Sequence, residues 1–443
     1  MTHLKRLFYP TAKLLLFVAL FSAFSANSCC EEKSEPAPAC DPNLTPVIFV
    51  HGFLASGDTY ADQIMRFDAN LYCDQNLRAF DWNTLAGANA AIPRLDSLIN
   101  EILASSGASK VNLVGHSAGG GLSYAYLADA GRAAKVNHYV HVGSGFQSGP
   151  AGPAGEIPTM NIYSTDDRTV QGGDIPGAVN KQFSGLDHYQ VATSAAVFAE
   201  IFSFFNSGKT PITTEIKPES EIQLSGRVLT LGENAPKPGA IIEIYEVGNN
   251  DGRRINAQPN AVLNSDAKGY WGPWKAKADT RYEFFVRTGT PGDRPIHYYR
   301  EPFKRSNPAV YLRTFPAPNS FAGLLLAGIP ANDNQSVMAI FSASRAVVHQ
   351  RDVLSANDYQ LSTSTLTPAQ KTIIAMFLYD GGDGQSSGNV HSSFQLLQSF
   401  LTGVDYFTPT DSPSSVKLEF NGRSLYVPNW KSQTDGVSVA VFD

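Results

Sequence analysis

The chain has 443 residues, of which 17% are charged, and a formal net charge of −6. That length exceeds one ordinary core and points to two or three domains. A net acidic chain with no basic face argues against a nucleic-acid partner, and it offers no basic patch to anionic lipid.

Lys5, Arg6 and Lys13 form a positive segment ahead of Leu14 to Phe24, an apolar run too short to span a bilayer. Small residues Ser25 to Ser28 then lead into Cys29 and Cys30. Residues 1–28 therefore read as a signal peptide of the bacterial lipoprotein type, with lipid attached at Cys29. On that reading the chain is exported and held at a membrane, in the outer membrane or at the cell surface. The alternatives are ordinary signal-peptide cleavage and a retained anchor helix. Residues 29–45 are polar and rich in proline and glutamate, as a flexible linker would be. In an oxidising compartment Cys40 and Cys73 are expected to pair, the alternative being two free or buried thiols.

Residues 46–210 alternate apolar runs with helical spacing, which predicts a mostly parallel sheet flanked by helices. Val47 to Val50 and Val111 to Val114 read as buried strands, followed by Tyr139 to Val142 and Met160 to Tyr163. Leu95, Leu98, Ile99, Ile102 and Leu103 fall on one helical face. Val197 to Phe205 closes the domain as an apolar helix. From Pro211 onward the pattern becomes all-β, a sandwich or barrel. Its first part is 211–315 and its second 316–443, the two packing into one β unit. Asp266 to Gly269 and Asn421-Gly422 are turn signals within it.

The strongest motif is Gly115-His116-Ser117-Ala118-Gly119, set between a predicted strand and a predicted helix. A strand-to-helix turn of this kind lifts a serine hydroxyl above the sheet and needs small neighbours. Acyl transfer on Ser117 develops an oxyanion, for which the backbone N–H groups of Ala118 and Phe53 are the expected donors. Phe53 follows His51-Gly52, where glycine lets the backbone turn inward and His51 serves as a structural hydrogen-bonder. The general base is expected near the domain's end, and His188 in Gly185-Leu186-Asp187-His188-Tyr189 fits. Its orienting acid is expected past the Asn161 to Ser164 strand, at Asp167, with Asp166 and Asp187 as alternatives. The order Ser, Asp, His is that of the strand-turn-helix hydrolases.

These blocks, VIFVHGF, KVNLVGHSAGG, YSTDDRTV and GLDHYQVA, resemble those of α/β-hydrolase lipases and esterases. Further stretches such as MRFDAN, RAAKVNHYVHV and IHYYREPFKR resemble a subgroup typified by a thermophilic archaeal lipase with a C-terminal lipid-binding β-barrel. The resemblance implies hydrolysis of ester or lipid substrates, with the β half engaging acyl chains. In that subgroup the acid follows the strand that here runs into Gly143, and glycine cannot serve, which returns the role to Asp167. The segment Phe80 to Ile92 is too short for the subgroup's lid.

No metal site and no cofactor are expected; Asp380 to Asp383 reads as a solvated turn rather than a calcium loop. The other functional readings are a polyester or amide hydrolase using the same residues, and a surface lipoprotein that binds a partner through a vestigial hydrolase domain.

Overall fold

Val47–Val50 (β1) and Val111–His116 (β3) are buried at every residue, as unbroken apolar runs in a parallel sheet should be. They are central in a six-stranded sheet with Leu77–Phe80 (β2), Val136–Val142 (β4), Thr159–Ser164 (β5) and Val179–Phe183 (β6). The order is β2-β1-β3-β4-β5-β6 and every pairing is parallel. The helices are Ala61–Asp68 (α1), Ala88–Ser106 (α2), Ala118–Leu127 (α3), Ala130–Ala133 (α4), Gln190–Thr193 (α5) and Ala195–Phe205 (α6). Alternate residues of β1 serve opposite faces. Val47 and Phe49 pack with Phe67 of α1 and Phe198 of α6, while Ile48 and Val50 pack with Leu95 of α2 and Leu122 of α3. This computed structural model describes residues 40–290, 292–391, 393–394, 400–411 and 413–443. The expected signal peptide and the lipidation at Cys29 lie outside them.

Apart from a short helix, Phe321–Leu325 (α7), the rest of the described chain is built from strands: Ile222–Thr230 (β7), Ile241–Glu246 (β8), Ala261–Asn264 (β9), Tyr270–Ala276 (β10), Tyr282–Arg287 (β11), Ile296–Arg300 (β12), Asn307–Thr314 (β13), Met338–Ser342 (β14), Leu354–Ala356 (β15), Tyr359–Gln360 (β16), Ala375–Tyr379 (β17), Leu401–Asp405 (β18), Ser415–Phe420 (β19), Arg423–Pro428 (β20) and Val437–Phe442 (β21). They form three sheets, ordered β10-β7-β13, β18-β17-β14-β21-β12-β11-β8-β9, and β16-β15-β19-β20. The long sheet lies between the other two. Val437, Val439 and Val441 of β21 face the core shared with β7 and β13, and Ala440 and Phe442 face the core shared with β15 and β19. Strands from both sides of residue 315 meet in that sheet, because β21 pairs in parallel with β12 and with β14.

The β unit is joined to the parallel-sheet domain by its own core. Leu229 of β7 and Ala309 and Tyr311 of β13 belong to the same apolar cluster as Phe49 and Phe67. Beside it lies a buried charge, Asp81, whose side chain is inaccessible to solvent. Its carboxylate accepts from Arg227 at 2.6 Å, from the Tyr311 hydroxyl at 2.8 Å and from the Gly57 N–H at 2.7 Å. Cys40 and Cys73 are bridged by a disulfide, which ties the start of the described chain to the turn between α1 and β2.

Removing one partner of a buried ion pair leaves the other charge stranded. Asp81→Ala should therefore lower unfolding stability by about 3–5 kcal/mol, read from the urea midpoint of the full chain. A loss below about 1 kcal/mol, the range of exposed pairs, would show that Asp81 does not hold the two parts together.

Candidate active site

Strand order reverses beside β1, with β2 on one side and β3 on the other. Such a point leaves a crevice at the carboxyl ends of the strands. Val50 lies opposite Gly115 in the ladder, so the loop after β1 and the turn after β3 emerge side by side. That turn places Ser117 at φ 53° and ψ −124°, a conformation that costs a non-glycine residue on the order of 1–3 kcal/mol. Neighbours impose it: the Ser117 N–H donates to the Val142 carbonyl at 3.0 Å, and Ser144 Oγ donates to the Ser117 carbonyl at 2.7 Å. The closeness of the turn explains its glycines. A Cβ on Gly119 would stand 2.3 Å from the Val50 carbonyl oxygen, and one on Gly115 would stand 2.6 Å from Ser123 Oγ.

Ala118 is the first residue of α3, so its N–H has no acceptor within the helix. Across the crevice a Cβ on Gly52 would stand 2.9 Å from Ser117 Cβ, so glycine lets the loop that carries Phe53 close on the serine. His51 is spent on holding this loop. Its Nε2 accepts from the Trp82 N–H at 3.1 Å, and its Nδ1 therefore carries the proton, donating to the Gly52 carbonyl at 2.8 Å. Burial holds its pKa below the ordinary value. The loop is braced from the β unit, because Asn234 Nδ2 donates to the Ala55 carbonyl at 2.7 Å and the Trp82 carbonyl at 3.1 Å.

His188 follows β6, and Asp167 follows β5. His188 Nδ1 lies 2.7 Å from Asp167 Oδ2, with the two side chains 3% and 0% exposed. Asp167 Oδ1 accepts from the N–H groups of Thr169 at 2.8 Å and Val170 at 2.9 Å. Burial works to raise the Asp167 carboxyl. The hydrogen bond and charge of His188, with the two backbone donors, outweigh it and hold the carboxyl below the usual range. The carboxylate therefore stays ionised near neutrality and fixes the proton of His188 on Nδ1, leaving Nε2 as an acceptor. Gly143, beside Asp167, sits at φ 47°, a conformation that residues with a side chain rarely adopt. His116 is buried beside His188, the rings 4.7 Å apart. Burial first, and then the neighbouring imidazole, push its pKa down to about 3. Being neutral, it donates from Nε2 to the His188 carbonyl at 2.8 Å.

The alternative acids are engaged elsewhere. Asp166 accepts from the Gly185 N–H at 2.7 Å. Asp187 accepts from the N–H groups of Tyr189 and Gln190, each at 2.9 Å, and so holds the turn that leads into α5.

Ser117 and His188 line one small cavity, together with Gly52, Phe53, Ala55, His116 and Tyr189. Its remaining wall comes from far along the chain: Thr372, Ile374 and Phe400. The Phe400 ring lies 6.3 Å from that of His188 and 6.4 Å from that of Phe53. The segment Phe80 to Ile92 supplies none of this lining. The β unit instead roofs the serine, a contribution with no sequence motif to announce it. Among the described residues no group of three or more His, Cys, Asp or Glu could hold a metal ion. The arrangement brings a strained serine and a histidine into one cavity and pairs that histidine with a buried carboxylate, the residue types that acyl transfer requires.

Three family models match parts of the chain. Residues 45–167 match the α/β hydrolase fold family model, residues 220–316 match the lipase C-terminal domain, and residues 329–443 match a further C-terminal-domain model. A mature-form lipase from Bacillus licheniformis is similar at 15% identity over 39% of this chain and 96% of its own, with a TM-score of 0.31. A Bacillus subtilis carboxylesterase is similar at 12% identity over 39% of this chain and 87% of its own, with a TM-score of 0.30. Aspergillus fumigatus lipase B is similar at 17% identity over 38% of this chain and 54% of its own, with a TM-score of 0.29. An α/β-hydrolase domain at 45–167 followed by a lipase C-terminal domain at 220–316 supports an α/β hydrolase of the lipase and esterase type, an ester hydrolase in general.

Proposed function

We propose that the protein is an exported serine carboxyl-ester hydrolase, a lipase or esterase that works through Ser117, His188 and Asp167. The observation that carries this is the buried 2.7 Å hydrogen bond from His188 Nδ1 to Asp167 Oδ2, made by a histidine that shares one cavity with Ser117. Ser117 Oγ attacks the ester carbonyl while His188 Nε2 takes its proton. The N–H groups of Phe53 and Ala118 receive the oxyanion, each donor contributing about 3–4 kcal/mol to the transition state. The tetrahedral adduct collapses, His188 returns the proton to the leaving alcohol, and an acyl-enzyme on Ser117 remains. Water, deprotonated by His188, attacks the acyl carbon; the carboxylic acid leaves, and Ser117 Oγ takes the proton back from His188. Asp167 stays ionised throughout and stabilises the imidazolium. Phe53, Ile374 and Phe400 give the cavity an apolar wall, which suits an acyl group.

Export is supported by the basic and apolar leader ahead of Cys29, and by the Cys40–Cys73 disulfide, a bond of oxidising compartments. If Cys29 carries lipid, Cys29→Ser moves the protein from the membrane to the soluble fraction of its host. A variant that stays with the membrane would contradict the anchor.

Ser117→Ala should abolish turnover of p-nitrophenyl butyrate while the circular dichroism spectrum is unchanged. Ester turnover retained by that variant would remove serine catalysis. Asp167→Asn should lower kcat by about 10³–10⁴-fold, the cost of losing the orienting carboxylate in triad hydrolases. A loss under tenfold would assign the orienting role to another acid.

A further inference from the structure

The loops that carry the acid and the base are tied to a single stretch of the β unit, residues 344–372. Thr169, two residues past Asp167, meets Thr372 hydroxyl to hydroxyl at 2.6 Å. Thr193, in α5, donates to the Ser344 carbonyl at 2.6 Å. The strongest tie is ionic and lies one residue from His188. Asp187 Oδ2 is 2.8 Å from Arg351 Nη1 and accepts from the Ala346 N–H at 3.2 Å. Arg351 Nη1 also donates to Gln190 Oε1 at 3.2 Å. The guanidinium is itself held, its Nε donating to Asp352 Oδ2 at 2.9 Å.

Asp187 is therefore divided between two tasks. One oxygen accepts the N–H groups of Tyr189 and Gln190 and the other takes the arginine, so the cation fixes the carboxylate that fixes the turn on which His188 sits. The Arg351 side chain is 30% exposed, and an ion pair at such a site adds little to global stability. Its consequence is local. We propose that Arg351 is a positioning residue for His188, acting through Asp187, so that the β unit completes the hydrolytic site rather than only covering it. The inference rests on the assignment of His188 as the base.

The test is a double-mutant cycle on the full chain, with p-nitrophenyl butyrate turnover and the rate of labelling by a fluorophosphonate probe as readouts. Arg351→Ala should lower kcat about 10- to 100-fold, the range for small displacements of a catalytic group. KM should stay within about threefold, because the loss falls on the transition state. Probe labelling should slow by the same factor while the melting temperature holds. Arg351→Lys, which keeps a cation on Asp187, should recover most of the loss. Asp187→Asn should act in the same direction, and the double variant should be no worse than the more impaired single one.

Wild-type kcat and labelling rate in Arg351→Ala would overturn the proposal, as would additive losses in the double variant or no recovery with lysine. Should Arg351→Ala not fold, Asp187→Asn alone decides, and wild-type kcat there overturns it. A wild-type chain that hydrolyses the ester without being labelled would instead defeat the serine mechanism on which the inference rests.

Discussion

The structure depends on a buried carboxylate. Asp81, at the end of β2, is closed off from solvent and satisfied by an arginine of β7, a tyrosine of β13 and the backbone of the loop after β1. Charge is expensive to bury and tolerable only when fully paired, so these three elements can occupy one arrangement. That arrangement sets the β unit against the carboxyl ends of the parallel strands, where the chemistry is. A second, partly buried pair, Arg313 with Asp58 at 2.5 Å, repeats the device a short way along the same loop.

Each loop of the site is then braced from outside its own domain. Asn234 holds the loop bearing Phe53, Thr372 meets the acid loop, and Arg351 with Ser344 holds the base loop. Only the serine turn is held wholly from within, by Val142 and Ser144. The division has a physical logic. The elbow is fixed by close packing of glycines against strands, whereas the surface loops that carry Phe53, Asp167 and His188 have few neighbours within their own domain and take partners from the β unit.

The same division marks what a single sequence reveals. β1, β3 and the elbow are legible because their signals are local: an apolar run, then glycines at fixed spacing. His188 and Asp167 are legible because chain order and strand ends place them. β2 and β6 are not, since edge strands such as Val179–Phe183 are only half buried and carry polar residues, which breaks the apolar run. Thr372, Ile374, Phe400, Asn234 and Arg351 are invisible for another reason. Each joins the site across more than 150 residues of chain, through a fold whose register no short motif encodes. The interleaving of strands from both sides of residue 315 is of that kind as well, because parallel pairing of β12, β21 and β14 is a long-range choice.

The central claim is that Ser117 is the atom-bearing nucleophile of this composite site. The most direct measurement is peptide mapping by mass spectrometry after inactivation with a p-nitrophenyl alkylphosphonate. The expected result is one phosphonyl group per chain, carried by Ser117, with one equivalent of p-nitrophenol released. An adduct on any other residue, or loss of esterase activity with Ser117 unmodified, would contradict it.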